Sequence, residues 1–144
     1  MTEKVTLGYW GIRGRAQIAR LLLAYTGAVW EDVKYTSPEQ WFGKDKQGLG
    51  IPFANLPYLI DGDFKLSESR AIIKYIVARS GNKELEGKNI QDQARVIQVS
   101  SVLEDLAVPL GSLFFDPQWE TKLPAVLEKA VPKINLVNEF YGEK

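Results

Sequence analysis

The sequence of 144 residues contains no cysteine and no histidine. These absences exclude disulfides, cysteine and histidine nucleophiles, histidine general bases and zinc sites built on either ligand. What remains for chemistry is tyrosine, serine, lysine, arginine, the carboxylates and the backbone dipoles. Such groups can bind and polarise an anionic substrate, but they include no strong nucleophile. We therefore expect a ligand to bring in the reactive group, and we expect no metal.

The chain also lacks net charge, a basic run and a long apolar run. Eighteen basic residues balance eighteen acidic ones, so no nucleic-acid partner is expected. No apolar stretch approaches membrane-spanning length, which predicts no membrane partner. The first four residues show no signal-peptide pattern, and a cytoplasmic protein is expected. At 45% hydrophobic residues, the chain has enough apolar side chains for a packed core.

The first half of the chain alternates between strand and helix patterns. The predicted elements are strand 4–10, helix 14–26, strand 29–35, a short helix from residue 37, a glycine-containing loop at 43–52, strands 58–60 and 64–66, and a helix from 67 to 81. A βαβ unit followed by a hairpin and a helix predicts a four-stranded mixed sheet flanked by helices, an α/β fold.

The second half has a different, purely helical pattern. Residues 83–90 are polar and predict a linker between an α/β domain at 1–82 and a helical part at 91–144. Leucines and valines at heptad-like steps predict one helix before Asp116-Pro117 and a second from about residue 121, with Leu127 and Ile134 facing inward. Since a helical hairpin cannot enclose a core, we expect it to pack on the α/β domain, to dimerise or to belong to a longer chain.

Tyr9 lies where the first strand meets the helix that opens at Arg13. Strand ends in open α/β sheets face the crevice where ligands bind. A phenol there can donate a hydrogen bond to a developing anion. The alternative is a structural tyrosine at the edge of the core, with its hydroxyl in water.

Two further motifs are compatible with an extended ligand. Pro57 precedes a strand, and a cis bond there would leave the Leu56 backbone free to pair with a peptide; a trans proline is the equal alternative. The hydroxyl of Ser69 and the backbone at the following helix start form an anion site, and Glu68 could bind an ammonium. An ordinary capped helix, with Ser67 as its cap, is the alternative.

Together these motifs resemble the cytosolic glutathione S-transferase family, most nearly its mu-like branch. The matching stretches are Leu7-Gly8-Tyr9-Trp10-Gly11-Ile12-Arg13-Gly14, Asn55-Leu56-Pro57-Tyr58-Leu59-Ile60-Asp61-Gly62 and Leu66-Ser67-Glu68-Ser69-Arg70-Ala71-Ile72-Ile73. The resemblance implies a thioredoxin-like N-terminal domain with an all-α C-terminal part. It also implies conjugation of the thiolate of glutathione, the co-substrate, to hydrophobic electrophiles in detoxification.

The resemblance implies a role for each matching residue. Tyr9 would be catalytic and stabilise the glutathione thiolate. The substrate-binding residues would be Trp10, Arg13, Trp41, Lys44, Lys46, Asn55, Leu56, a cis Pro57, Glu68, Ser69, Asp105 and Phe115. Among them, Trp10, Trp41 and one of the two lysines would hold the glycine end, Leu56 the cysteinyl backbone, and Glu68 with Ser69 the γ-glutamyl end. Asp105 would reach the partner of a homodimer formed through Phe53 and the helical hairpin.

The sequence departs from the mu pattern in four places. Glu68 replaces a glutamine, the loop before Trp41 is short with Asp45 between the two lysines, Phe115 replaces a tyrosine, and the chain ends at Lys144, before the family's later helices. The last departure favours an alternative function, a glutathione-binding but inactive structural or assembly module. A third alternative is an interaction domain with no glutathione site, against which the joint presence of Tyr9, Leu56-Pro57 and Glu68-Ser69 argues.

Overall fold

The structure of the protein is a computed structural model that describes residues 4–142. It divides after Leu85 into two compact units, at a point inside the predicted 83–90 linker. That segment contains a 3₁₀ turn, Lys83–Glu86. The outer limits of the two predicted domains, residues 1 and 144, lie outside the described residues.

The first unit contains a four-stranded mixed sheet, as predicted. Its elements in chain order are β1 (Val5–Trp10), a 3₁₀ turn (Gly14–Ala16), α1 (Gln17–Tyr25), β2 (Trp30–Tyr35), α2 (Pro38–Gln40), a π-helical turn (Trp41–Asp45), α3 (Lys46–Gly48), β3 (Tyr58–Asp61), β4 (Phe64–Ser67) and α4 (Ser69–Ser80). The strand order is β2-β1-β3-β4. β1 and β2 are parallel, whereas β3 pairs antiparallel with both β1 and β4.

Two helices, α1 and α4, cover one face of this sheet. Arg20 of α1 forms an ion pair with Asp32 of β2, and Tyr75 of α4 donates a hydrogen bond to Asp61 of β3 at 2.7 Å. Because side chains alternate along a strand, Leu7 of β1 points to this same face. α1 buries Ala19 and Leu23 against the sheet, and the preceding 3₁₀ turn buries Ala16; the small alanine side chains let this segment approach closely.

The opposite face is covered by residues 38–48. The predicted loop at 43–52 is therefore wrong in its first half, which is helical as far as Gly48. A capping box between Ser37 and Gln40 starts the segment, and the buried side chain of Trp41 fixes it on the sheet. These two anchors outweigh the low helix propensity of glycine.

Burial differs from the sequence pattern at two helices of the first unit. On α1, Ile18, Leu21 and Tyr25 follow helical spacing but are exposed. At the start of α4 the N-cap residue is Glu68, whereas Ser67, the predicted cap, is the last residue of β4. The Ser67 hydroxyl is buried and donates to the Phe53 carbonyl at 2.9 Å. It therefore holds a neighbouring loop and does not cap the helix.

The second unit is a hairpin of two long helices, α5 (Ile90–Leu113) and α6 (Trp119–Gly142). Lys133 of α6 contacts Asp105 of α5 at 3.2 Å. Leu127 and Ile134, predicted to face inward, are 40% and 45% exposed, because one neighbouring helix covers only one side of α6.

Within the described part of the chain, α5 is long and apolar enough to cross a membrane, with mean hydropathy 1.3 over 18 residues. The expectation that no apolar stretch approaches that length is wrong, although one such helix is weak evidence for a membrane segment.

Candidate functional site

A cavity of about 390 Å³ opens in the first unit at the end of β1. The residues lining it are Tyr9, Arg15, Asn55, Leu56, Pro57, Glu68 and Ser69. Six of these seven were predicted from the sequence as site residues. Strand β1, the turn before β3 and the start of α4 therefore bring the separate motifs to one place.

The Tyr9 hydroxyl accepts a hydrogen bond from the main chain. The main-chain N–H of Arg15 donates to the Tyr9 oxygen at 3.2 Å. A hydroxyl has one proton to donate and two lone pairs to accept with. The bond from Arg15 therefore leaves the Tyr9 proton available for an acceptor in the cavity, and it polarises the O–H group in the direction of donation.

Gly14 allows this approach. It has φ +36°, and a Cβ built on it would lie 2.7 Å from the Tyr9 oxygen. Any larger residue would push the hydroxyl out of place or distort the turn. The sequence indicated the turn but not this contact, because the close approach depends on how the turn folds back over β1.

Arg15 is the cavity residue that sequence analysis missed. It lines the cavity beside Tyr9, and its main-chain N–H contacts the Tyr9 oxygen. The Arg13-Gly14-Arg15 motif was visible, but Arg13 was the residue chosen. Arg13 does not line the cavity; its carbonyl oxygen accepts a bond from the Arg20 guanidinium at 3.5 Å. Residue type alone does not tell which of the two arginines in a tight turn lies at the cavity.

The turn before β3 differs from its prediction in one respect. The Leu56–Pro57 bond is cis, as the resemblance implied. The Leu56 N–H, however, was expected to be free, and it donates to the side-chain oxygen of Asn55 at 2.9 Å. A peptide ligand pairing with Leu56 would have to take the place of that amide oxygen.

The start of α4 combines an anion site with an acidic side chain. No side chain caps this end of the helix in the described chain. The N–H groups of the first turn and the helix dipole therefore favour a negative ligand group next to Ser69. Glu68 has φ 71°, a conformation that is rare and strained for a residue with a side chain. Its carboxylate lies 3.5 Å from the Asn55 amide nitrogen.

The other predicted site residues of the first unit lie outside the cavity lining. Trp41 is buried at 2% exposure and stacks on Tyr58 with ring centroids 5.8 Å apart. Trp10 packs against Phe42, which lies in the π-helical turn Trp41–Asp45. The Lys46 ammonium lies 5.2 Å from the centre of the Phe42 ring.

Beneath this segment lies a buried pair of tyrosines. The Tyr35 hydroxyl donates to Asp45 at 2.7 Å and lies 3.0 Å from the Tyr58 hydroxyl. Burial, followed by the hydrogen bond with Tyr58, raises the pKa of Tyr35 far above its ordinary value. Burial also raises the pKa of Tyr58. Both phenols are therefore neutral at physiological pH.

Two predicted site residues belong to the second unit. Asp105 pairs with Lys133, as described above, and Phe115 is exposed in the turn between α5 and α6. No group of three or more acidic side chains that could hold a metal ion occurs in residues 4–142.

Comparison with known proteins gives a consistent result. The family model described as "Glutathione S-transferase, N-terminal domain" matches residues 5–78. The chain is 41% identical over 147 aligned positions to "Glutathione S-transferase Mu 2" of Mus musculus, covering 97% of this chain and 66% of that protein. It is 40% identical to "Glutathione S-transferase 2" of Gallus gallus, covering 97% of this chain and 65% of that protein. The chain thus spans slightly less than two thirds of the length of these relatives.

Solved structures give the same family. The crystal structure of the glutathione S-transferase Blo t 8 superposes with a TM-score of 0.85 at 28% identity, covering 96% of this chain and 64% of that chain. The crystal structure of the glutathione S-transferase from Ascaris lumbricoides superposes with a TM-score of 0.81 at 26% identity, covering 98% of this chain and 69% of that chain.

Proposed function

This chain belongs to the glutathione S-transferase family, and we propose that it conjugates the thiolate of glutathione to hydrophobic electrophiles. The observation that carries the proposal is the Tyr9 hydroxyl, which accepts from the Arg15 N–H and keeps its own proton for an acceptor in the cavity. Because the sequence has neither cysteine nor histidine, the nucleophile comes from the ligand.

The proposed chemistry is stabilisation of the bound thiolate. A hydrogen bond to the anionic form of an acid lowers its pKa, and each unit corresponds to roughly 1.4 kcal/mol. Tyr9 donates that bond to the glutathione sulfur. Arg15 also lines this cavity, and a positive charge at this residue favours the anion. The thiol proton leaves to solvent, and the thiolate sulfur attacks the electrophilic carbon; with an aryl halide the C–S bond forms, the carbon–halogen bond breaks and the halide ion departs.

The rest of the cavity suits a peptide with charged ends. Glu68 binds the γ-glutamyl ammonium, and the uncapped start of α4 at Ser69 binds the adjoining carboxylate. The cysteinyl backbone pairs with Leu56 by replacing the Asn55 amide oxygen. Asn55 then turns its amide to the ligand. Trp10 and a lysine of residues 44–46 hold the glycine end, and Trp41, buried against Tyr58, fixes the segment that carries the lysines.

Substitution of Tyr9 by phenylalanine tests the proposal. Losing one positioned donor to a developing anion costs on the order of 10²-fold in turnover. We expect that loss in conjugation of an aryl halide, with glutathione affinity measured by calorimetry nearly unchanged. Tyr25→Phe is the matched control, because Tyr25 is exposed on α1, and it should leave both quantities as they are.

Two results would contradict the proposal. Equal turnover by Tyr9→Phe and the unaltered protein would remove Tyr9 from the mechanism. Tight glutathione binding by the unaltered protein without turnover of any aryl halide would favour the inactive binding module instead.

The proposal extends to a cytoplasmic homodimer. Phe53 supports it, because its side chain is 91% exposed while its backbone is held at φ 51° by the Ser67 hydroxyl. In a dimer Asp105 would contact the γ-glutamyl ammonium bound by the partner. Light scattering should give a dimer mass that Phe53→Ala lowers and that Phe64→Ala, at a half-exposed position in the β3–β4 hairpin, does not. A monomer mass for the unaltered chain would contradict it.

A further inference from the structure

We propose that Asp45 is a positioning residue for glutathione binding, which acts by fixing the cation that receives the glycine carboxylate. The inference rests on the proposed function. In the sequence Asp45 lies between Lys44 and Lys46, and in the structure it contacts Tyr35 inside the fold. Its carboxylate accepts the Tyr35 hydroxyl proton at 2.7 Å.

The contact belongs to a relay of hydroxyl groups that crosses the sheet. The single Tyr35 proton goes to Asp45, so the Tyr58 hydroxyl, 3.0 Å away, donates to the Tyr35 oxygen. Tyr58 immediately follows Pro57, the residue of the peptide-pairing turn. Asp45 is thereby connected through two phenols to the strand that begins at the cysteinyl end of the cavity.

Gly8 makes the relay possible. It lies on β1, between the strands that carry the two tyrosines, and it pairs directly with Tyr58. A Cβ on Gly8 would lie 2.1 Å from the Tyr58 ring. The missing side chain therefore leaves the space through which the Tyr58 hydroxyl reaches the Tyr35 hydroxyl.

The contacts of Trp41 and Asp45 with the sheet determine the side of the turn from which the two lysines extend. Trp41 and Asp45 are four residues apart, so they share the side of the helical turn that faces the sheet. Lys44 and Lys46 flank Asp45 and are exposed. With both contacts in place the turn is held against the sheet, so the backbone positions from which the two lysines extend are set before the ligand arrives, which preserves affinity.

Two ligands separate this role from a general contribution to folding. Glutathione carries the glycine carboxylate, and its glycine monoethyl ester carries no charge there. A charge-assisted hydrogen bond is worth about 10-fold to 100-fold in affinity. We expect the unaltered protein to bind glutathione at least about tenfold more tightly than the ester. In Tyr35→Phe and Asp45→Ala, glutathione affinity should fall about tenfold while ester affinity changes by less than about twofold. Asp45→Asn, which keeps an acceptor oxygen, should retain most of the discrimination.

The matched control is Tyr75→Phe. Tyr75 also donates to a carboxylate at 2.7 Å, that of Asp61, on the other face of the sheet. We expect it to lower the melting temperature like Tyr35→Phe without changing either affinity or the kcat at saturating glutathione. If Tyr35 cannot be replaced without unfolding, Asp45→Ala, at a half-exposed position, decides the matter alone.

The outcomes distinguish the two proposals. Equal weakening of both ligands in Asp45→Ala would overturn the positioning role and leave the proposed function intact. Equal affinity of the unaltered protein for glutathione and its ester would do the same. Failure of the unaltered protein to bind either ligand would overturn the proposed function, and this inference with it.

Discussion

Gly14 and Tyr9 are related by contact: the α-hydrogen side of Gly14, at φ +36°, faces the Tyr9 hydroxyl, and a methyl group there would lie 2.7 Å from its oxygen. The next residue, Arg15, donates its N–H to that same oxygen. A single tight turn thus clears space for the hydroxyl and also orients it. The catalytic competence proposed for Tyr9 depends on a neighbour that has no side chain.

Gly14→Ala should therefore impair turnover more than glutathione binding. The added methyl group pushes the Tyr9 hydroxyl away from the Arg15 N–H and from the thiolate. We expect kcat to fall at least about tenfold, since misplacement of a catalytic group by about 1 Å can cost up to 10²-fold. Initial rates over a glutathione series measure this.

Gly27→Ala is the control for backbone strain. Gly27 has φ +66°, but a Cβ there would meet no atom within 4 Å. Both substitutions should lower the free energy of unfolding by about 1 kcal/mol. Only Gly14→Ala should lower kcat; an equal loss in the two variants would show that strain, and not contact with Tyr9, is responsible.

Of the two lysines beside Asp45, we expect Lys46 to bind the glycine carboxylate. Its ammonium lies over the Phe42 ring, and Phe42 packs against Trp10, the residue next to Tyr9. Lys46→Ala should weaken glutathione about tenfold, as calorimetry would show. Lys44→Ala, the same change on the other side of Asp45, should weaken it less than twofold. The reverse order would assign the carboxylate to Lys44.

Sequence patterns predicted the order of strands and helices because alternation and helical spacing are local properties. A four-stranded mixed sheet was also predicted, and the family resemblance implied that Tyr9, Leu56 and Ser69 belong to one site. Two features were missed because each depends on where one side chain lies in the folded chain, through tertiary packing for Trp41 and through a local contact for Asn55. The turns after Trp41 are helical because a buried indole anchors them, and the Leu56 N–H is occupied because the Asn55 side chain folds back. Neither residue type specifies that conformation by itself.

Arg20 should be a stabilising centre of the first unit. It pairs with Asp32 while both side chains are mostly buried, and its guanidinium also donates to the Ile12 carbonyl at 2.6 Å. Arg20→Met leaves the Asp32 carboxylate, in a poorly solvated place, with only the longer ion pair to the exposed Lys34 at 3.4 Å. We expect the free energy of unfolding to fall by about 2–3 kcal/mol, somewhat less than for a fully buried pair. Urea denaturation measures it.

A more exposed ion pair, made by the neighbouring residue of β2, supplies the comparison. Lys4 contacts Glu31 at 2.7 Å, but the two side chains are 57% and 51% exposed. Lys4→Met should change the free energy of unfolding by less than about 1 kcal/mol, because exposed pairs gain little over solvation. Similar losses in both variants would mean that burial does not determine the contribution of the Arg20 pair.

Asp61 should make the first unit sensitive to acid. The hydrogen bond from Arg79 and, to a smaller extent, that from Tyr75 lower the pKa of its carboxyl in the folded protein. The unfolded chain has the ordinary aspartate pKa of about 3.9, so near that pH it binds more protons than the folded chain. The stabilisation is therefore present above about pH 4 and is lost as the pH falls through the folded pKa.

Urea midpoints measured between pH 7 and pH 3 should decline at the acid end, and Asp61→Asn should lower stability at pH 7 while flattening that decline. Asp63→Asn, at an exposed position in the same hairpin, should leave the profile unchanged. An acid decline that persists undiminished in Asp61→Asn would assign the sensitivity to other carboxylates.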